Sequence, residues 1–470
     1  MKGKKVINFG IVSRKQFICQ ILSKKGARAY FTGIGGVSMS ALALLLKSKG
    51  IRVFGSDLRR SEITDMLQKR GIGVRFTHTK EGIMSFAPDI AVFSLSIDKE
   101  NPEYRAAVDM KIPIISRAEL LGALMDDYEV KLGVSGSHGK STVTAMIGSV
   151  LEECVCNPTV LCGAQISETY GLKQGGEKYL VYESCEYGDS FLQFTPDVQL
   201  LLNLELDHTD YFKSEEAIRE SFLKSANTAK NSCVLNLDSE NLALIRDRIK
   251  TEVHAYSSNK GAEYRYEIKN KEKAFNLYKK ERLIGEYRTR LKGVFNIENS
   301  VAAAVLADVL ELPYDKAALA INNFNGIKRR LEHIKKIGSV SIFYDYAHHP
   351  TEIDSVNKAL RAEGYKNIAV VFAPHTYSRT SAFFEKFAKS LANFNTVYIA
   401  EIYGAREKAV VGVNSSSLAD AVIKAGGSAH AVSESESASI VSDIIGKSPD
   451  CVVLMGAGNL DNYKEAFMKI

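Results

Sequence analysis

Residues 129–144 read Glu-Val-Lys-Leu-Gly-Val-Ser-Gly-Ser-His-Gly-Lys-Ser-Thr-Val-Thr, a short apolar strand running into a glycine-rich loop that opens a helix. That order makes a phosphate cradle. Gly136 and Gly139 let the backbone curl so that successive N–H groups point inward, Lys140 adds a mobile positive charge for the outer phosphates, and the Ser141 hydroxyl suits Mg²⁺. In the strict G-x-x-x-x-G-K-[ST] spacing the first glycine position falls on Val134. The competing reading is a Gly/Ser turn that happens to precede a helix, and the remaining chain must decide between the two.

At 470 residues the chain exceeds one ordinary core, and about three domains are expected. Basic and acidic totals nearly balance, 61 against 55, without a long basic run. This argues against nucleic-acid or membrane-surface binding and leaves anionic small substrates open. The seven cysteines are odd in number and form no C-x-x-C pair, as expected in a reducing cytoplasm. Cys154 and Cys156 flank one residue and read as ordinary thiols or a metal fragment. No apolar run reaches the about 18 residues of a membrane span, and the basic start lacks the apolar region of a signal peptide. Residues 1–28 suggest no role.

From residue 29 a strand, the turn Gly33-Ile34-Gly35-Gly36, a helix over about 37–49 and a second strand ending in Gly55-Ser56-Asp57 follow one another. The turn is a partial G-x-G-x-x-G with Ser38 at the third glycine position, and an acid at the end of the second strand is where such folds meet a ribose hydroxyl. Further βα units carry Thr77-His78 and the strand Ile90–Ser94, and Ser116 is placed to cap a helix. Two apolar strands after the phosphate loop end in Glu183-Ser184-Cys185-Glu186 and Glu205-Leu206-Asp207-His208. Ligands of parallel sheets bind at carboxyl ends of strands, so Glu183 and His208 should emerge near Lys140. Glu183 suits a hard cation, and His208 reads as a ligand to a second ion, a residue acting through water, or a turn histidine. Asn296 and Asn299 lie at i, i+3 on an alanine-rich helix, where paired amides suit an adenine edge or a surface cap.

After Asn325-Gly326 the cluster Lys328-Arg329-Arg330 opens a third region. Its strands end in Asp345-Tyr346-Ala347-His348-His349-Pro350, in Pro374-His375-Thr376-Tyr377-Ser378-Arg379, in Glu401 and in Gly456-Ala457-Gly458. Polar loops at four strand ends imply a second open α/β sheet facing a cleft. Adjacent histidines admit metal ligation, but the nearby arginines favour anion binding.

In this ordered set the chain resembles the Mur ligase family from about Phe31 onward. The carriers are Gly33 to Ser40, Gly136-Ser137-His138-Gly139-Lys140-Ser141-Thr142, Glu183 to Glu186, Asn203 to His208, Asn296 with Asn299, Arg329-Arg330, Asp345 to Glu352, and Pro374-His375 with Arg379-Thr380. The resemblance implies an α/β protein of three domains: an N-terminal Rossmann-like one for a UDP-sugar (1–116), a central P-loop ATPase (117–326) and a C-terminal Rossmann-like ligase domain (327–470). It implies ATP and Mg²⁺ as cofactors, with residues 136–142, Asn296, Asn299, Arg330 and Asp345 meeting ATP, and Ser141, Glu183 and His208 meeting metal. Gly35, Ser38, Asp57, His78, Ser94, His348, His375 and Arg379 are the implied substrate contacts, and Lys140, Glu183, His208, His348 and Arg330 the catalytic group. The implied reaction joins L-alanine to the carboxylate of UDP-N-acetylmuramate, in the cytoplasm, by a monomer or homodimer that neither enters a membrane nor binds nucleic acid. Departures from the family pattern fall at Phe295, where histidine is common, and at Thr376, where arginine is. Lys224 lies one position beyond the lysine that some members carbamylate and receives no such role.

The chemistry of the residues agrees. A carboxylate does not react with an amine near neutral pH, so a ligase first converts it to an acyl phosphate, a step of positioning and charge neutralisation suited to Lys140, Arg330 and Mg²⁺. The alternatives are a sister ligase adding a preformed peptide, a nicotinamide-dependent dehydrogenase, and a non-catalytic ATP-binding paralogue.

Overall fold

A computed structural model describes residues 11–269, 273–405 and 407–470. Residues 1–10, part of the N-terminal stretch without a recognised role, lie outside the described residues. Among the described residues three sheets follow one another along the chain.

The first holds β1 (Arg28–Thr32), β2 (Arg52–Ser56), β3 (Gly73–Arg75), β4 (Ile90–Phe93) and β5 (Ile114–Ser116), in the order β3-β2-β1-β4-β5, all parallel. Strand β4, Ile-Ala-Val-Phe, is buried at every residue, the run expected of a parallel strand covered on both faces. Tyr30, Thr32 and Ser56 all donate to the buried Glu103 carboxylate, at 2.7, 2.7 and 2.6 Å, which ties helix Pro102–Asp109 to the two central strands. Part of the unassigned N-terminal stretch also finds a place. Helix Ile11–Leu22 buries Ile18 and Ile21 in the core shared with Leu120, Leu121 and Leu124, while Lys15 pairs with Asp126 at 2.6 Å. Ser116 caps helix Arg117–Leu124 in a capping box with Glu119, as the sequence predicts.

The central sheet runs β15-β14-β13-β12-β11-β10-β6-β9-β7-β8. Its strands are β6 (Val130–Ser135), β7 (Thr159–Leu161), β8 (Leu172–Lys173), β9 (Tyr179–Glu183), β10 (Val198–Leu201), β11 (Ser232–Asn236), β12 (Glu252–Ser257), β13 (Tyr264–Lys269), β14 (Ala274–Lys279) and β15 (Arg282–Arg288). Strands β6, β7 and β9 to β12 run parallel around β6, β8 pairs antiparallel with β7 at one edge, and β13 to β15 form an antiparallel meander at the other. Because β6 lies between β10 and β9, the loops leaving all three share one edge.

The third sheet contains β16 (Glu332–Ile337), β17 (Val340–Asp345), β18 (Ile368–Ala373), β19 (Thr396–Ile399), β20 (Ala429–Ala431) and β21 (Cys451–Gly456), ordered β16-β17-β21-β18-β19-β20. The inner strands β17, β18 and β21 are buried throughout, with a core on each face. This α/β architecture with mainly parallel sheets is the expected fold class. All seven cysteines are free thiols, and among the described residues no helix is long and apolar enough to cross a membrane.

Candidate active site

Strand β6 delivers the phosphate loop, and helix Lys140–Glu153 starts at Lys140 with Gly139 before it at φ 83°, a left-handed conformation that glycine adopts without a Cβ penalty. A side chain at Gly139 would also run into the Asn299 amide. The Lys140 ammonium folds back over its loop, donating to the Gly136 carbonyl, to the Ser137 carbonyl at 3.3 Å and to Glu186 Oε1 at 3.0 Å. Burial alone would lower its pKa, but the Glu186 carboxylate outweighs that and raises it. Glu186 Oε2 is buried without a hydrogen-bond partner, and His208 Nε2 lies 3.7 Å from Glu186 Oε1. Thus Lys140, Glu186 and His208 do converge, as the strand order requires. Glu183 ends β9 beside them and accepts from the Gly163 N–H and from Cys162 Sγ, the latter at 3.2 Å.

The third sheet meets this edge with its own loops. Glu352, in the first turn of helix Pro350–Ala362, is their hub: its Oε1 is 3.0 Å from His138 Nδ1 and 3.8 Å from the Arg330 guanidinium, and its Oε2 accepts the backbone N–H groups of His348 and His349 at 2.9 and 3.2 Å. His138 also faces Glu205, with Nε2 3.5 Å from Oε2. Burial would lower the His138 pKa, yet these two carboxylates raise it to about 10. A raised histidine stabilises the fold fully below its unfolded pKa of about 6.5 and loses that contribution as pH climbs through the folded value. The stability gap between wild type and His138→Gln is therefore expected to be largest below this window and to vanish above it. Urea unfolding at both ends checks this, and a gap independent of pH would refute it.

A second contact between the sheets is the buried pair of Asp207, beyond β10, with Arg379, on helix Tyr377–Ala382, at 3.0 Å. Arg379 also reaches His375 Nδ1 at 3.3 Å. His348 Nδ1 lies 2.9 Å from the Tyr346 carbonyl and 3.3 Å from Glu352 Oε2. Both partners only accept, so Nδ1 carries the proton and Nε2 keeps its lone pair. Burial lowers the His348 pKa to about 3 and that of His375 to about 4, so both are neutral imidazoles.

Two enclosures flank this junction. One of about 290 Å³ is lined by Gly139, Thr142, Asn299, Phe295, Arg330 and Asp345 among others. A smaller one of about 150 Å³ lies among Tyr187, His208, His375, Thr376, Arg379 and Glu407. Of the implied nucleotide contacts, Asn299 donates to Asn296 Oδ1 at 3.2 Å, and Asn296 donates to the Lys292 carbonyl at 2.8 Å. The Asp345 oxygens are taken by the Leu331 and Ala347 N–H groups, at 2.5 and 2.7 Å. That carboxylate holds the turn carrying Arg330, where Arg329 and Leu331 have φ of 60° and 48°. Phe295 packs against the third-domain core. The first-domain candidates follow β1 to β4: Asp57 Oδ2 accepts the Gly35 N–H at 2.9 Å, His78 Nδ1 meets Asn101 at 2.8 Å, and Ser94 bonds Ser96 at 2.8 Å, with Ser38 in the first turn of helix Val37–Ser48. Sequence reasoning missed Glu186 and Glu352. Both stand in quoted stretches, three residues past Glu183 and His349, and only the assembled fold gives them their partners.

A nucleotide-type phosphate loop at a junction of α/β domains, with two imidazoles and an arginine opposite it, defines a ligase-like site, and the sequence comparisons agree. Residues 28–129 match the Mur ligase family catalytic domain, 134–307 the Mur ligase middle domain and 329–458 the Mur ligase glutamate ligase domain. The chain belongs to the Mur ligase family. It is similar to UDP-N-acetylmuramate--L-alanine ligase of Caldicellulosiruptor saccharolyticus, 37% identical over 454 residues covering 93% of this chain and 98% of the relative. The same-named protein of Clostridium perfringens is 32% identical over 456 residues, covering 96% and 99%. Among solved structures, UDP-N-acetylmuramate-alanine ligase from Thermotoga maritima superposes with a TM-score of 0.79 at 25% identity, covering 94% of this chain and 98% of that one. A murein peptide ligase from Psychrobacter arcticus, at 20% identity and a TM-score of 0.73, covers 95% and 99% and shares the fold.

Proposed function

We propose that the protein joins L-alanine to the carboxylate of UDP-N-acetylmuramate in peptidoglycan precursor synthesis, at the expense of ATP. The observation that carries this reading is the meeting of Lys140, Glu186 and His208 with His348, His375 and Arg379 across one junction, in a chain whose similar relatives bear that ligase name. The site residues named from the sequence keep their roles within this proposal, as do the domain limits at 116/117 and 326/327, which fall between the three sheets.

The carboxylate oxygen attacks the terminal phosphorus of ATP, ADP leaves, and an acyl phosphate forms. Lys140 follows the transferred charge, exchanging Glu186 for phosphate oxygens, and Arg330 approaches from the third domain. Mg²⁺ fits the donor set: the Ser141 hydroxyl and Glu183 carboxylate offer hard oxygens, the orphaned Glu186 Oε2 adds negative charge, and His208 stands beside it. Bound there, Mg²⁺ would supply neutralisation of phosphate charge. L-Alanine's amine then attacks the acyl carbon, phosphate departs, and the surplus ammonium proton must be removed. His348 Nε2 has the free lone pair for this, and an anionic acyl phosphate in the same cleft would raise its proton affinity from the buried value. The enclosure of about 150 Å³ at His375 and Arg379 suits a small amino acid better than a tripeptide.

Incubation with ATP, Mg²⁺, UDP-N-acetylmuramate and single amino acids or the tripeptide, with ADP measured, tests the reading. L-Alanine should stimulate release most; preferential stimulation by the tripeptide would make the protein a peptide ligase. His348→Ala is expected to lower turnover with L-alanine by about 10²-fold or more while ATP binding is kept. An unchanged rate would remove His348 from proton transfer.

A further inference from the structure

His138, of the phosphate loop, clusters with Glu205 and His349, two residues to which the ligase chemistry above gives no step. One ligand atom from each lies within 4.8 Å of the others. His138 Nε2 is 3.5 Å from Glu205 Oε2, and that same oxygen is 3.7 Å from His349 Nδ1. Ligands held about 2.0–2.1 Å from a tetrahedral Zn²⁺ stand about 3.3–3.4 Å from one another, so two of the three edges are nearly in place. Two further observations point to an occupant. The His349 side chain is 6% exposed, and neither of its ring nitrogens makes a hydrogen bond; His138 Nε2 is buried too and meets only the Glu205 carboxylate, at 3.5 Å. Buried polar atoms without partners are rare. The outer contacts also have the form that orients metal ligands: His138 meets Glu352 through its other ring nitrogen at 3.0 Å, and Thr351 donates to Glu205 Oε2 at 2.8 Å.

We infer that His138, Glu205 and His349 bind a divalent transition-metal cation of the Zn²⁺ type, at a site distinct from the Ser141, Glu183 and His208 group. Two imidazoles and one carboxylate favour a borderline-soft ion over Mg²⁺, and on binding it would displace the proton that His138 otherwise holds between Glu352 and Glu205. His138 belongs to the phosphate loop and Glu205 to the loop beyond β10, whereas His349 precedes a helix of the third sheet. The cation would therefore clasp the third domain onto the phosphate loop. The site is empty in this structure, and the proposal does not depend on the identity of the ligase substrates.

The test uses the metal-stripped full chain without nucleotide, titrated with ZnCl₂ against a chromophoric chelator. One equivalent should bind, and His349→Ala and Glu205→Gln should each weaken it by at least about tenfold, with His208→Ala leaving it unchanged. X-ray absorption of the wild-type zinc complex needs no variant to fold, and it should show imidazole scattering from two histidines. An all-oxygen shell, no bound zinc, or zinc lost on His208→Ala but kept on His349→Ala would each overturn the site and leave the cluster as a charge network only.

Discussion

Lys140→Met is expected to lower acceptor-stimulated ADP release by about 10²–10³-fold, the loss seen when one preorganised charge-stabilising group is removed from a transition state. The structure adds a complication that shapes the experiment. Lys140 is the hydrogen-bonded partner of Glu186, whose side chain is 1% exposed, so removing the ammonium leaves a carboxylate buried and unpaired. That alone costs about 3–5 kcal/mol. A rate loss in the single variant would therefore mix lost charge with a weakened fold. Glu186→Gln in the same chain removes the uncompensated charge, so the double variant should recover much of the stability and almost none of the rate. Urea unfolding and ADP release on the same samples separate the two effects. A single variant within tenfold of wild type would mean that the loop lysine does not act on the transferred phosphoryl group.

Much of this site was legible in the chain because the parallel architecture turns sequence order into spatial order. The buried runs Ile90–Phe93, Val198–Leu201, Ile368–Ala373 and Cys451–Gly456 are uniformly apolar or nearly so, and the polar residues that follow the second and third of them, with the loop after β6, are the ones that converge. What was illegible is pairing across domains. Glu352 looks like an ordinary acid in the first turn of a helix, and nothing local shows that it joins His138, His348 and Arg330. Strand β16, Glu-His-Ile-Lys-Lys-Ile, escaped because it is a polar edge strand. The helix Ile11–Leu22 escaped because its mixed face is recognisable as a core face only against Leu120 and Leu124. Asn296 and Asn299 were read correctly as sharing a face, but that face turned out to bond within itself.

Arg379→Ala is expected to destabilise the protein by about 3–5 kcal/mol near neutral pH, through Asp207 and not through contacts of its own helix. The two side chains are 8% and 5% exposed, and Arg379 reaches both carboxylate oxygens, Nε to Oδ1 at 3.0 Å and Nη2 to Oδ2 at 3.3 Å. Burial would push the Asp207 carboxyl upward, but Arg379, with His208 and His348 nearby, holds it far below the usual carboxylate range. A depressed carboxylate contributes stability that is present above its unfolded pKa of about 4 and drains as pH falls towards the folded value. Wild type should therefore lose stability on acidification through this group, and Arg379→Ala should lose less, because the variant has already forfeited the pairing. Adding Asp207→Asn to Arg379→Ala removes the stranded charge, so the double variant should be more stable than the sum of the two single losses. Because one partner follows β10 and the other follows β18, the loss should also loosen the third domain from the central one, splitting a single melting transition into two. Strictly additive single and double variants, or an unchanged acid limb, would show that the pair is tolerated by the fold and does not hold the domains together.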